Sequence, residues 1–463
     1  MFKKLFAHSS RVPFFLYLCA AVALIFSFKV TADSNAPNLQ AFRDSSGEIK
    51  TFSSNGSIDL SNAFFQSLGT NGRSCGSCHQ PEDGWSITPE HLQARFLESA
   101  GLDPVFSPND GAVCPTADIS TEDARRQAYR LLLSKGLIRV SKGIPANAEF
   151  TLESVDDPYG CATAQDLSLY RRPLPSTNLR FLSTVMWDGR ETVPGQPIIN
   201  DLKTQAVDAT TGHAQSASSP TPEQVKEIVD FEMALTTAQS QDDEAGQLDS
   251  QGAKGGPKNL VSQDFFIGIN DPLGLNPTGK AFDPQVMLMY QAWTDLNSSP
   301  RDKYTNAREA VSRGEALFNT FPIPIQGVAG INDTLNVPVV NGTCTTCHDS
   351  PNVGNHSVSQ PLNIGLVETS RRTADLPLYT FRCTLTGQSV QVTDPGRALV
   401  TGKCRDIGKF KGAILRGLSA RAPYFHNGSA ATLEDVVNFY DTRFDLSLSA
   451  QQKADLVAFL KTL

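Results

Sequence analysis

Two five-residue motifs constrain this chain more than anything else in it: Cys75-Gly76-Ser77-Cys78-His79 and Cys344-Thr345-Thr346-Cys347-His348. Two thiols three positions apart, followed at once by an imidazole, match the two vinyl groups and the iron of a haem. Each motif therefore reads as a covalent c-type attachment, with His79 or His348 against the metal. With nine cysteines and seven histidines in 463 residues, chance would supply such a motif on the order of 0.003 times. A zinc centre or a thiol redox pair is the competing reading, but zinc would want two more ligands close by, and neither motif has a second Cys/His pair near it. The expected chemistry is that of iron in two haem c groups.

The N-terminus agrees with that chemistry. Lys3 and Lys4 precede an apolar run over 12–28, and Val30-Thr31-Ala32 precedes Asp33, which is the order of an export signal cleaved after Ala32. An uncleaved membrane anchor is the alternative, because the run is nearly long enough to span a bilayer. Cys19 leaves with the signal, and four cysteines remain outside the motifs. They fall as one pair in each half of the chain, which suggests disulfides Cys114–Cys161 and Cys383–Cys404 in an oxidising periplasm. The formal charge is −8, and the basic N-terminus makes the exported remainder more acidic still, so no nucleic-acid partner is expected.

Helical spacing of apolar residues appears over 58–67, 90–96, 121–133, 223–238, 304–319, 433–440 and 450–463. Residues 239–258, rich in Gln, Ser, Asp and Gly, read as a mobile surface loop. The order helix, haem motif, loops, helix occurs twice, as a diverged duplication. The expectation is an all-α protein of two class I cytochrome c-like haem domains. The first would span 33–300, with an insertion over 96–170, and the second 301–463.

A sixth ligand, or its absence, separates electron transfer from catalysis at a c-type haem. Met1, Met186, Met233, Met287 and Met289 all precede the second motif, so the His348 haem finds no Met in its own domain. Its local candidates are His356, His426 and Tyr440. A phenolate donates negative charge and stabilises ferric and higher-valent iron, which suits storage of oxidising equivalents.

Met186-Trp187-Asp188-Gly189-Arg190, Leu202-Lys203-Thr204-Gln205-Ala206 and Ile228-Val229-Asp230-Phe231-Glu232 resemble the bacterial di-haem cytochrome c peroxidase family. So does Arg421-Ala422-Pro423-Tyr424-Phe425-His426-Asn427-Gly428-Ser429, running into Ala431-Thr432-Leu433-Glu434-Asp435-Val436-Val437. The resemblance covers both haem domains apart from the insertion. It implies a peroxidatic haem on His79, an electron-transfer haem on His348, Trp187 as the relay between them, and Gln205 in the distal pocket. The family's distal acid falls where this chain has Asp208 and His213 and no Glu. His213 is the candidate proton carrier there, since an imidazole titrates near neutrality.

Other roles follow from the same resemblance. The family's axial Met lies eight residues beyond the Thr of the Thr-Leu-Glu helix, a place held here by Tyr440. That departure resembles the MauG branch, whose members ligate this haem with His and Tyr and oxidise protein side chains through a bis-ferryl state. His91, twelve residues after His79, is the candidate for the detachable sixth ligand that some members place on this haem, but its spacing and surroundings differ, and an open His79 haem is preferred. Arg416 is expected on a haem propionate, and His426 as a packed residue between the haems. A calcium ion would take the carbonyls of Arg421 and Pro423 and an Asn side chain, with Asn178 near and Arg171 and Arg172 closer still.

The function implied is reduction of hydrogen peroxide with electrons from a small cytochrome c or cupredoxin. MauG-like oxidation of a protein substrate and a non-catalytic electron carrier are the alternatives. Many relatives dimerise, so a homodimer is also expected.

Overall fold

The computed structural model describes residues 34–296 and 301–463, so the expected export signal lies outside the described residues. Helices form where the sequence supplies both a start signal and an apolar stripe. Pro89–Ser99 opens on a proline at its first position, buries Leu92 and Phe96 one turn apart, and ends at Ala100 in a left-handed conformation. Pro222–Ala234, Leu433–Phe444 and Ala450–Lys461 each begin with a reciprocal capping box, made by Thr221 with Gln224, Thr432 with Asp435, and Ser449 with Gln452. Thr305–Thr320 lies against Ala450–Lys461 at close range because Gly314 has no side chain; a Cβ there would meet the carbonyl oxygen of Asp455. Behind this crossing, Val311, Phe318, Leu433, Val437, Leu456 and Phe459 form one core. A second core gathers Phe64, Trp85, Leu202, Ile228 and Phe231. Each such side chain contributes roughly 1.5–3 kcal/mol by leaving water.

The expectation of an all-α protein is overturned, because thirteen strands in five small sheets accompany the helices among the described residues. Gly47–Ser53 alternates buried and half-buried along its length, the two-residue period of a strand with one covered face. It pairs antiparallel with Leu235–Asp242. That second strand takes the last four residues of the expected 223–238 helix and the start of the expected mobile loop. Its polar side chains misled the reading of the sequence because their partners lie far away in the chain. The Thr237 hydroxyl bonds those of Thr51 and Thr177 at 2.8 Å each, and the Asn178 amide clamps the Thr237 backbone from both sides at 2.9 Å. Ala245, Leu248 and Ala253, further along the expected loop, are buried too. The helix expected over 58–67 is instead the strand Ser57–Asp59 and a single 3-10 turn, Ala63–Phe65.

Both expected disulfides are present, Cys114–Cys161 and Cys383–Cys404. The segment expected as an insertion carries two short helices, Glu122–Ala128 and Arg130–Lys135, and the strands Ile138–Lys142, Phe150–Asp156 and Leu167–Arg171. Phe150–Asp156 pairs antiparallel with Leu378–Cys383, which pairs in turn with Ser389–Val392, so the insertion is stitched to the C-terminal half.

Candidate functional site

The two motifs fold alike. Cys75–Ser77 and Cys344–Thr346 are single 3-10 turns, closed by Ser74 with Ser77 and by Thr343 with Thr346. The His79 Nδ1 donates to the Trp85 carbonyl at 2.9 Å, and the His348 Nδ1 to the Gly354 carbonyl at 2.6 Å. A carbonyl only accepts, so each ring carries its proton on Nδ1 and keeps a lone pair on Nε2, the arrangement a metal-ligating imidazole needs. Burial lowers both imidazole pKa values, that of His348 to about 4, so the rings are neutral at pH 7. Phe64 and Phe318 pack 6.2 and 5.8 Å from the respective rings.

All four motif thiols are free, whereas the other four cysteines of the described residues are paired. Burial pushes Cys75, Cys344 and Cys347 up to about 12. A thiol redox pair wants the opposite shift.

Each motif opens on its own cavity, of about 190 Å³ at His79 and 280 Å³ at His348. Trp187 lies in the wall common to both, with Arg172, Lys411 and Arg421. The indole Nε1 donates to the Arg172 carbonyl at 2.8 Å, and the backbone N–H of Lys411 donates to the Trp187 carbonyl at 2.9 Å. The next residue, Asp188, is anchored by the fully buried Arg171 at 2.7 Å, which also grips Asp394 at 2.7 and 2.9 Å. Trp187 is thereby held on both sides.

The shared wall is rich in buried cations bonded to backbone carbonyls. Lys411 reaches the Thr184 carbonyl at 2.9 Å, Arg172 those of Lys135, Ile87 and Arg421, and Arg421 that of Gly417. The Arg421 Nη2 has no partner at all. Burial drives Lys411 down to about 7 and both arginines to about 10. Buried positive charge facing a cavity calls for an anion, and the carboxylates of a haem would meet that need. The donor set of each cavity, two neutral thiols, an imidazole lone pair and cations opposite, fits a covalent haem.

The opposite walls differ. In the His79 cavity, the helix Ile198–Gly212 brings Gln205, and His213 follows at its end. The His213 Nδ1 meets Asp110 Oδ2 at 2.5 Å, and Arg73 bonds the other oxygen of the same carboxylate. Burial opposes ionisation of Asp110, but His213 and Arg73 outweigh it and hold the carboxyl below its ordinary value. Glu232, also in this wall, is raised by burial to about 8 and is therefore protonated at neutral pH. Asp208 is exposed and outside the wall. The His348 cavity has no comparable acid–base pair. Its wall is largely apolar, with Tyr440 from Leu433–Phe444 packed among Phe425, Phe439 and Phe444. Burial raises the Tyr440 phenol above its ordinary value.

Several expected residues lie elsewhere. Arg416 is buried but borders neither cavity; its Nη1 reaches Met289 Sδ at 2.9 Å. His91 binds Asp83 at 2.7 Å, outside the His79 cavity. His356 binds Asp349 at 2.6 Å, outside the His348 cavity. His426 does line that cavity, stacked 4.0 Å from Phe410 and edge-on to Trp187 at 6.1 Å. At the residues expected around a calcium ion, some oxygens already have protein partners. The Arg421 carbonyl accepts from the Arg172 guanidinium at 3.1 Å, and both ends of the Asn178 amide are used on Thr237.

Sequence reasoning missed Asp110, Arg73, Lys411 and Arg172 as cavity residues. Asp110 sits in the insertion, and no local pattern ties it to His213, 103 positions away.

No family model matches the chain. The cytochrome-c peroxidase IdrP1 of Pseudomonas sp. (strain SCT) is 29% identical over 195 residues, 37% of this chain and 45% of that protein. IdrP2 of the same strain is 33% identical over 131 residues, 26% of this chain and 35% of its own length. Cytochrome c551 peroxidase of Nitrosomonas europaea is 31% identical over 121 residues, 26% and 30% of the two chains. The chain thus spans less than half the length of these curated relatives. Among solved structures, a MauG-like protein associated with microbial copper homeostasis aligns over 87% of this chain and 86% of its own, at 17% identity and a TM-score of 0.40. Over these stretches, which include parts of a chain whose two attachment motifs line cavities sharing an indole wall, the protein is similar to bacterial cytochrome c peroxidases.

Proposed function

We propose that the protein is an exported di-haem oxidoreductase that reduces hydrogen peroxide in the His79 cavity with electrons passed from the His348 side. The observation that carries this reading is the position of Trp187 in the common wall, with the carboxylate-paired imidazole of His213 in the His79 wall and not in the other. A haem at each motif would supply the iron redox chemistry. Reducing one peroxide to two waters consumes two electrons and two protons, and this chain's own residues handle the protons. Gln205 offers an amide to orient a bound oxygen. His213 keeps Nε2 free for the substrate while Asp110 fixes its Nδ1–H, so the ring can take a proton from one oxygen and return it to the other. The indole of Trp187 shortens each tunnelling step between the cavities.

Electrons would come from a small cytochrome c or cupredoxin. The expected location is the periplasm, which the two disulfides favour. No helix among the described residues is long and apolar enough to cross a membrane.

The low-temperature electron paramagnetic resonance spectrum of the ferric protein tests the reading. A high-spin signal that cyanide or peroxide abolishes, beside a low-spin signal they leave alone, is the expected result. Two low-spin signals indifferent to both would leave only an electron carrier.

Tyr440 in the His348 cavity favours a second reading, oxidation of a protein substrate in the MauG manner. Steady-state turnover with reduced cytochrome c and peroxide, for wild type and Tyr440→Met, separates the two. Rapid wild-type turnover counts against protein oxidation, and turnover gained only in the variant counts for it.

A further inference from the structure

Behind the His348 motif, and outside both cavity walls, three buried ligating side chains converge: Asp271, Asp349 and His356. Each offers a ligand atom within 4.8 Å of the other two, and their exposures are 1%, 0% and 1%. Asp349 Oδ2 accepts from the His356 Nδ1 at 2.6 Å, and its Oδ1 from the Ser357 N–H at 2.7 Å. Asp271 Oδ2 accepts from the Leu275 N–H at 2.7 Å. That leaves Asp271 Oδ1 and His356 Nε2 buried without a partner. The hydroxyls of Ser350 and Ser357 and the side-chain oxygen of Asn355, from the same segment, are in the same condition.

Four orphaned buried atoms within residues 350–357, with Asp271 Oδ1 beside them, are a local concentration that calls for a partner. The charge is equally unbalanced. Among the described residues the only ion-pair partner of Asp349 is His356, and even a protonated ring offsets one carboxylate of two. Buried charges are paired or hold metals, and a divalent cation with a neutral imidazole closes the balance. The donors are one nitrogen and several oxygens, with no thiolate. An imidazole argues against calcium and for a first-row ion. The Nδ1–H to Asp349 contact with Nε2 free is the way a carboxylate orients a ligating histidine.

We propose that Asp271 and His356, with Asp349 orienting the imidazole, form a binding site for a divalent first-row metal ion of the zinc class, structurally separate from the haem cavities. Asp271 belongs to the loop after Phe266, whose Gly268 N–H already donates to the Ser357 carbonyl at 3.0 Å, so the ion would pin that loop to the segment following His348.

The test uses the haem-loaded protein, stripped with a chelator and titrated with Zn2+. Elemental analysis should find one zinc per chain beyond the haem iron, and anomalous diffraction at the zinc edge should place it between Asp271 and His356. Asp271→Asn and His356→Gln should each weaken zinc binding at least tenfold at unchanged haem content. Wild-type protein that takes up no stoichiometric zinc overturns the proposal whatever the variants do. So does zinc located elsewhere, or retained equally by both variants. Peroxide turnover does not enter the readout, so this site and the peroxidase reading stand or fall separately.

Discussion

The His79 and His348 halves begin with the same local structure and diverge on the far side of their cavities. In both, a capped 3-10 turn presents two thiols, the following imidazole donates to a carbonyl six residues on, and a phenylalanine packs near the ring. Opposite His79 stand Gln205 and His213, with Asp110 and Arg73 holding the imidazole. Opposite His348 stand Tyr440 and a ring of phenylalanines. A haem-binding turn is thus a local device that can be duplicated unchanged. What the iron would do there depends on distant segments that close the cavity, and these have diverged freely.

The sharpest way to break the symmetry is to remove one anchor. Cys75→Ala with Cys78→Ala should halve the covalent haem per chain, read by the pyridine haemochrome assay. The matching Cys344→Ala, Cys347→Ala pair should do the same, and an unchanged haem count in either would end the duplication argument.

The next largest effect concerns the wall. His213→Ala should lower peroxide turnover by about 10²–10⁴-fold, and Asp110→Asn should lower it less while shifting its pH profile, since the ring stays but loses its orienting charge. Tyr440→Phe should leave peroxide-dependent bleaching at the His79 haem within a few fold. Equal losses from His213→Ala and Tyr440→Phe would mean that the two walls are not specialised.

Arg171 ties Asp188, next to Trp187, to Asp394 with all three side chains buried. Arg171→Met should destabilise the fold by about 3–5 kcal/mol in a denaturant titration, because two carboxylates lose their buried partner. A cost below 1 kcal/mol would show that the wall does not depend on this tie.

The smallest effect is in pH. Burial lowers His426 to about 4 from an ordinary 6.5. The unfolded chain therefore takes up this proton first as pH falls, so stability is intact above 6.5, declines from there to 4, and then levels off. The loss is about 3 kcal/mol. His426→Asn should remove that component, and identical pH curves for variant and wild type would refute it.

Legibility from sequence followed range. The Thr432 and Ser449 caps and the apolar stripes behind them announce their helices within a few residues, and the ends of Leu433–Phe444 and Ala450–Lys461 lie close to the expected ones. Leu235–Asp242 was unreadable because Thr236, Thr237 and Gln239 look like loop residues until Thr51, Thr177 and Asn178 supply their partners. The same holds at the site. Trp187, Gln205, His213 and Tyr440 could be named from short patterns, and each borders a cavity. Arg416 could be named too, and it borders neither. Asp110, Lys411 and Arg172 carried no local signal, because a buried charge is recognised only by what surrounds it.

The sequence alone determined the two attachment motifs, the pairing of the remaining cysteines and the helices that carry their own caps, since each is written within a few residues or by elimination among few. Tertiary structure decided that strands share the fold, that Trp187 stands in a wall common to two cavities, and that the distant Asp110 supplies the carboxylate holding His213. The reason is physical. Periodicity and capping are local energies summed along the chain, whereas ladder pairing, charge burial and the placing of one ring between two cavities depend on groups hundreds of residues apart that meet only when the chain has closed.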